Sequence, residues 1–244
     1  MTKPDDDQPM LSVIAPCFNE ELNVDVLVER TLAALDLLPV PAELILVDDG
    51  SRDGTWQKIQ EAEKRHPRVR GFHHTKNQGI VGGWLTGLTG SRAELVCLID
   101  SDLQNPPEDI QRLYEAYARG ATDIVQAVRQ PKGNQQRIVF SKGLNLLLNV
   151  TFGMHLRDNK SGFILTRRET LLDILADAEG YRYFQSLIGV AAGHRGLRIA
   201  EVDTVFELRH AGQSFLSAFP IRICLRICAE LARYRVETWR KSRK

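Results

Sequence analysis

Apolar residues gather in short runs that stop abruptly in polar loops, and a stretch with helical spacing follows most of these loops. Leu11-Ser12-Val13-Ile14-Ala15, Leu44-Ile45-Leu46-Val47 and Val96-Cys97-Leu98-Ile99 read as buried strands. The pattern predicts strands over 11–15, 43–47, 69–73 and 95–99, alternating with helices over 20–38, 53–66 and 79–89. Glu20 and Glu21 complement the dipole of the first helix, and Pro39 and Pro41 stop it. Asp53-Gly54-Thr55 opens the second. Pro106-Pro107-Glu108 starts a further helix that runs to about Gly120, with proline favoured in a first turn, and a strand follows over 124–128. Strands and helices alternating at this length predict an α/β fold with a mostly parallel sheet covered on both faces.

The second half is less regular. It predicts an apolar helix over 137–152, the stretch Asp158-Asn-Lys-Ser-Gly-Phe163, and a strand over 164–166. Helices over 168–178 and 183–193 follow, then a strand over 197–206 and a long helix from about Pro220. There are no repeats, no low-complexity segments and no clear linker, which implies one compact domain.

Composition narrows the class. The 244 residues are 43% hydrophobic and 26% charged, with a net charge of +1, as in an ordinary globular protein able to bury a sizeable core. The charge is uneven: from Arg209 onward nine Lys/Arg face two Glu, a net of +7, so the preceding residues sum to −6. A basic tail on an acidic body points to an anionic partner, membrane lipid or nucleic acid. Cys17, Cys97, Cys224 and Cys228 form no C-x-x-C pair, so neither a zinc site nor a disulfide framework is expected, and reduced cytosolic thiols are. Met1–Pro9 is polar and acidic, unlike a signal peptide, and no run of about 18 uncharged apolar residues predicts a transmembrane helix. In the terminal helix Ile221, Cys224, Leu225, Cys228, Leu231 and Ala232 form one stripe, and Arg222, Arg226, Glu230 and Arg233 another. That pattern suits either a membrane interface, with Trp239 at its end, or packing on the protein's own core.

The candidate chemistry lies where the strand runs end. Asp100 and Asp102, with Gln104 beside them, offer hard oxygen ligands at a strand end, as Mg²⁺ or Mn²⁺ requires when it also holds a diphosphate. Alone, such a pair more often merely caps the following helix. A second acidic cluster, Asp48-Asp49-Gly50-Ser51, follows another strand, and Pro16-Cys17-Phe18-Asn19-Glu20 follows the first. Ligands of open α/β sheets sit beyond the carboxyl ends of the strands, so all three loops are candidates for one pocket. The six histidines show no ligand spacing, and His73-His74 read as packed or exposed strand residues.

Six segments in order resemble the family 2 glycosyltransferases. They are Pro16-Cys-Phe-Asn19-Glu20, Val47 to Thr55, Asn77-x-Gly79, Asp100 to Glu108, Asp158-x-x-Ser161-Gly162-Phe163 and Arg209-x-x-Gly212-x-Ser214. The Asp-x-Asp-Leu-Gln-x-Pro-Pro-Glu form is most similar to dolichyl- and polyprenyl-phosphate sugar synthases. The resemblance implies a GT-A fold and inverting transfer of a sugar from a UDP- or GDP-linked donor to a polyprenyl phosphate. It implies a Mg²⁺ or Mn²⁺ held by Asp100, Asp102 and Gln104, and Arg209 on the donor phosphates. Pro16, Glu20, Asp48, Asp49, Asn77, Gly79, Asp100 and Ser101 would bind the donor, Asp49 through its base. Arg129, Arg137 and Ser141 would clamp the lipid phosphate. Asp102, Arg209 and Asp158 form the catalytic set, although Asp158 also suits a positioning role. Gly82-Gly83 either let the backbone pass close to the donor or pack a helix.

The expected organisation is a disordered residue 1–10 segment, a transferase domain over 11–216 with its nucleotide half before about residue 105, and a basic amphipathic helix over 217–244. The expected location is cytoplasmic, peripheral on the cytoplasmic membrane face or held by a membrane partner, with homo-oligomerisation open and no nucleic-acid partner. Gln185-Ser-Leu-Ile-Gly189 departs from the Gln-x-x-Arg-Trp of processive enzymes. A hydroxyl acceptor is the main rival and needs a general base, with Asp158, Asp177 or Glu179 available. A nucleotidyltransferase would need a Gly-rich loop after the first strand, where Ala15–Asn19 has no glycine. A non-catalytic adaptor for lipid or nucleic acid would not need the two acidic clusters.

Overall fold

The computed structural model describes residues 8–129, 135–159, 161–181, 184–205, 207, 210 and 229–237, without the side chains of 129, 135–141, 144 and 186. The chain runs β1 (Leu11–Cys17), α1 (Glu21–Leu35), β2 (Ala42–Asp48), α2 (Thr55–Arg65), β3 (Val69–His73), α3 (Gly79–Gly90) and β4 (Leu95–Leu98). It continues through α4 (Ile110–Ala118), β5 (Ile124–Arg129), α5 (Gln135–Phe152), β6 (Ile164–Arg167), α6 (Arg168–Leu175), α7 (Ile188–His194) and β7 (Ile199–Thr204). Short 3₁₀ turns at Pro107–Asp109, Ala176–Ala178 and Phe184–Leu187 lead into or out of helices where the pattern predicts unbroken ones. The first helix ends at Leu35, earlier than predicted, because the chain must leave the helical region before Pro39.

The strands form one sheet in the order β3-β2-β1-β4-β6-β5-β7. Among them β6 alone is antiparallel to its neighbours, and the other pairings are parallel. Strand side chains alternate between two cores. Leu11, Val13, Ala15, Leu44 and Leu46 pack with Val24, Leu27 and Ile59 of α1 and α2. Ile14, Ile45, Val47, Val96 and Leu98 pack with Trp84 and Leu88 of α3 and with residues of α6 and α7.

This topology gathers the motifs at one end of the sheet. From β1 the chain steps outward to β2 and β3, then returns to place β4 on the other side of β1, so the loops after β1 and β4 diverge and leave a crevice. Because β6 is antiparallel, Leu98 pairs with Ile164, and residues 158–163 arrive at the same end. Arg129 pairs with Thr204, which brings the segment after β7 there too.

Residues 229–237 are helical and pack on the protein's own core, with Leu231 and Tyr234 buried. The Tyr234 ring stands edge-on to Tyr181 and Phe184, with centroids 5.8 and 6.2 Å away. Ala232, grouped with Leu231 on the apolar stripe by spacing, is exposed. The rest of the helix expected over 217–244, and residues 1–7, lie outside the described residues.

Candidate active site

The loops after β1 and β2 are fastened to each other. Asn19, at φ 56°, donates its backbone N–H to Ser51 Oγ at 2.9 Å and accepts from Arg52 N at 2.9 Å. Asparagine tolerates this left-handed conformation better than most residues. Glu20 is buried; its N–H donates to Thr55 Oγ1 at 2.8 Å and its carboxylate accepts from Asn23 Nδ2. Glu21 N donates to Asp53 Oδ2 at 3.3 Å, and Gly54 N to Glu21 Oε2 at 3.1 Å.

Asp48 and Asp49 are both buried and each orders a turn. Asp48 accepts from Ser51 N at 3.2 Å and pairs with His73 Nδ1 at 2.7 Å. Asp49 accepts from Gln78 N at 2.7 Å and Gly79 N at 2.8 Å, and pairs with His74 Nδ1 at 2.8 Å. It thereby satisfies two donors at the start of α3, while a carboxylate's roughly four lone-pair sites leave it room for one more partner. His74 is buried and also reaches Thr86 Oγ1 at 2.7 Å, while His73 is exposed and stacks on Trp56 at 5.0 Å. Gly50, at φ +73°, lies beneath the chain at Lys76 and Asn77, where a Cβ would come within 2.7 Å of Lys76 C. Asn77 is exposed, and Gly79 adopts φ +80° facing open space. Gly83 packs against Pro16, where a Cβ would lie 2.7 Å from Pro16 Cβ, so this glycine serves helix packing.

The acidic loop leaves β4 through Ile99. Asp100 Oδ2 accepts from Asn105 Nδ2 at 3.0 Å, and Asp102 Oδ1 from Gln104 N at 3.1 Å. Between them Leu103 holds φ 61° with its side chain buried in the core. A left-handed leucine is strained, and its anchored side chain fixes the turn between Asp102 and Gln104. Ser101 is buried, and burial, with Glu20 adding to it, pushes the nearby Cys17 thiol well up and leaves it inert. Among the described residues no three His, Cys, Asp or Glu side chains group to hold a metal. Asp100 and Asp102 stand two residues apart in this loop and would supply two carboxylates. Such a set fits a hard cation that takes its other ligands from substrate phosphates and water, and it does not fit an all-protein cage.

Two further features stand at this loop. Gln185 Nε2 occupies the space where a Cβ on Gly162 would stand, and Asp100 Oδ1 lies 3.5 Å from the same point. Asn105 Oδ1 is buried without a partner among the described residues. Asn105 stands inside the acidic motif, whereas Gln185 is distant in the chain, and its own segment signals only a departure from the Gln-x-x-Arg-Trp pattern.

On the acceptor side Asp158 is buried, its N–H donating to Glu201 Oε1 at 3.3 Å and its carbonyl accepting from Gln126 Nε2 at 3.1 Å. Asn145 and Asn149 of α5 bond the backbone of Leu156 and the side chain of Asn159, tying that loop to the helix. Arg137 and Ser141 are four apart on α5, hence on one helical face, and Arg129 ends β5. The side chains of these three, and all of Arg209, lie outside the described residues. Asp177 accepts from Arg195 Nη2 at 2.6 Å and from the Tyr234 hydroxyl at 3.3 Å, which commits it to a structural ion pair. Glu179 is exposed on a turn.

A sequence profile described as glycosyl transferase family 2 matches residues 12–175. A dolichol-phosphate mannosyltransferase of Pyrococcus furiosus is 30% identical over 235 residues, covering 93% of this chain and 65% of that protein. An undecaprenyl-phosphate 4-deoxy-4-formamido-L-arabinose transferase of Aeromonas hydrophila is 36% identical over 213 residues, covering 85% and 63%. The chain thus spans less than two thirds of the length of these relatives. A crystal structure of glucosyl-3-phosphoglycerate synthase from Mycobacterium tuberculosis, in complex with Mn²⁺, UDP and glucosyl-3-phosphoglycerate, shares the fold. Its TM-score is 0.64 at 20% identity, over 84% of this chain and 73% of that one. A mannosyltransferase of Pyrobaculum calidifontis in complex with GDP-mannose and Mn²⁺ aligns at a TM-score of 0.56 and 19% identity, over 86% and 60%.

Proposed function

The chain belongs to glycosyl transferase family 2 and is related to polyprenyl-phosphate sugar transferases, and we propose that it moves a sugar, with inversion, from a nucleoside diphosphate to a polyprenyl phosphate. The observation that carries this reading is the acidic loop at the end of β4, which shares one end of the sheet with the coupled loops after β1 and β2.

In this reading Pro16, Glu20, Asp49, Asn77 and Gly79 surround the nucleoside, and Asp48 orders the turn that presents Asp49. Asp100 and Asp102 hold Mg²⁺ or Mn²⁺ with Gln104 beside them, and Ser101 lies against the diphosphate. When bound, the cation neutralises charge on the departing nucleoside diphosphate. Asn105 orients Asp100, and Arg209 offers a guanidinium fork that matches phosphate geometry.

The acceptor is a phosphate because that group is already anionic and needs no base to remove a proton, only cations to hold it. Arg129, Arg137 and Ser141 supply that clamp. The rival hydroxyl-acceptor reading loses a candidate base, since Asp177 sits in a structural ion pair. Asp158, with its backbone bonded to Gln126 and Glu201, positions the acceptor side. Among the described residues no helix is long and apolar enough to cross a membrane. In this reading the prenyl chain is met at the cytoplasmic membrane face, by peripheral contact or through a membrane partner.

The test incubates the purified protein with UDP- and GDP-sugars and a short-chain polyprenyl phosphate, and follows the products by mass spectrometry. A lipid-linked sugar formed only with Mg²⁺ or Mn²⁺ is the expected result. Full-speed transfer after chelation, or transfer to hydroxyl acceptors alone, would overturn the proposal.

A further inference from the structure

Arg30 of α1 shares its guanidinium between two carboxylates from distant parts of the chain. Its Nε and Nη2 donate to the two oxygens of Glu108 at 2.8 and 2.7 Å. Its Nη1 and Nη2 donate to those of Glu207 at 3.0 and 3.1 Å. Glu108 closes the loop that opens at Asp100, and Glu207 follows β7. The same Glu207 donates its backbone N–H to the Gln104 carbonyl at 2.9 Å, and His210 N donates to the Asp102 carbonyl at 3.4 Å. The segment after β7 is therefore fastened to the acidic loop twice, directly through backbone bonds and indirectly through Arg30 and Glu108.

All three side chains are partly exposed, and isolated surface ion pairs contribute little to stability. What this arrangement adds is direction. A planar guanidinium making four charge-assisted bonds fixes both carboxylates in one plane, which a lysine cannot do. Without it, Glu108 and Glu207 would face each other as like charges and push the segment away from the loop.

We propose that Arg30 is a positioning residue, a latch that holds Glu207 and His210 against the acidic loop and so fixes the backbone from which Asp102 and Gln104 would face the metal and diphosphate. This rests on the reading of Asp100 to Gln104 as the metal and donor site. An Arg30→Gln variant tests it with two readouts. Amide exchange at Glu207 and His210 reports docking without any ligand, and calorimetric binding of UDP and GDP with Mn²⁺ reports the site. In Arg30→Gln, exchange should quicken about fivefold or more, and Mn²⁺-dependent nucleotide affinity should fall roughly tenfold, with Arg30→Lys recovering only part. Glu207→Gln, which keeps the backbone bond, should shift both in the same direction and serves if Arg30→Gln fails to fold. Unchanged exchange in the Arg30 and Glu207 variants would overturn the latch, as would faster exchange with nucleotide affinity intact. A wild-type protein that binds neither nucleotide with Mn²⁺ would instead overturn the donor-site reading, and with it the latch's role at that site. The exchange data would then still show whether Arg30 docks the segment.

Discussion

Asn105 Nδ2 donates to Asp100 Oδ2 at 3.0 Å, closing the acidic loop on itself from within its own motif. The bond engages one oxygen of the carboxylate and turns the other toward Gly162 and Gln185. A ligand carboxylate held in this way is presented at a fixed angle, which is how outer groups tune metal sites. Because Asn105 is buried, its bond to Asp100 does not compete strongly with water.

Replacing Asn105 with Ala should weaken Mn²⁺-dependent nucleotide binding by about 10- to 100-fold. The fold should change little, since one hydrogen bond contributes only about 1 kcal/mol net. Calorimetry with UDP and GDP, alongside a melting curve, separates the two effects. Affinity within twofold of wild type would show that Asp100 needs no such support.

Asp102→Ala should abolish transfer while leaving the circular dichroism spectrum intact. Its carboxylate accepts a local backbone bond from Gln104, and losing that bond costs the turn about 1 kcal/mol. If it holds the cation, the loss in turnover should be at least about a hundredfold. Turnover near wild type would remove the metal from the mechanism.

The sheet was legible because strands buried on both faces appear as unbroken apolar runs, as Leu44–Val47 and Val96–Leu98 do. The loops at their ends were legible because their chemistry is local: Asp48, Asp49, Asp100 and Asp102 each lie within a few residues of their strand. Helix ends were less so. Leu37 and Leu38 continue the apolar pattern of α1, yet the prolines beyond them end the helix at Leu35. Arg30 and Glu207 were not legible at all, and Gln185 only as the start of a segment that departs from a motif. Their partners lie far away in sequence, Glu207 being 177 positions from Arg30, and a charged residue on a helix looks the same whether solvated or latched. The C-terminal stripe was ambiguous for a related reason, because burial of Tyr234 depends on aromatic rings from Tyr181 and Phe184 that spacing cannot reveal.

Gly50→Ala should destabilise the protein and disturb the donor side together. The residue holds φ +73°, and a Cβ there would meet the Lys76 and Asn77 backbone at 2.7 to 2.9 Å. Backbone cannot swing aside as a flexible side chain would, so the 74–79 loop must lift, taking with it the Gln78 and Gly79 amides that Asp49 holds. The expected cost is about 1–3 kcal/mol by urea unfolding, with weaker nucleotide binding. Gly79→Ala is the contrast: its φ is also positive, at +80°, but it faces open space. It should cost less than Gly50→Ala, and equal losses would mean that backbone conformation, not the crossing chain, sets the penalty.

Docking of the 229–237 helix should fail at alkaline pH before the rest of the fold. Burial, followed by the bond to Glu237, pushes the Tyr181 hydroxyl up to about 12, and burial with the nearby Asp177 charge does the same for Tyr234. A phenol whose pKa is raised on folding contributes stability that is complete below its ordinary value of 10 and is lost as pH climbs from there toward 12. Solvent near Tyr181 screens part of this, so the larger share belongs to Tyr234, the more deeply buried ring. Tyr234→Phe keeps the ring contacts with Phe184 and Phe152 but loses the bond to Asp177. It should therefore be slightly less stable than wild type at pH 8, by about 1 kcal/mol. It should also lose less on moving to pH 11, because one phenolate fewer, that of Tyr181 alone, then has to form inside the cluster. Urea unfolding of both proteins at the two pH values measures the difference. Parallel losses would mean that alkaline sensitivity arises elsewhere and that Tyr234 contributes packing alone.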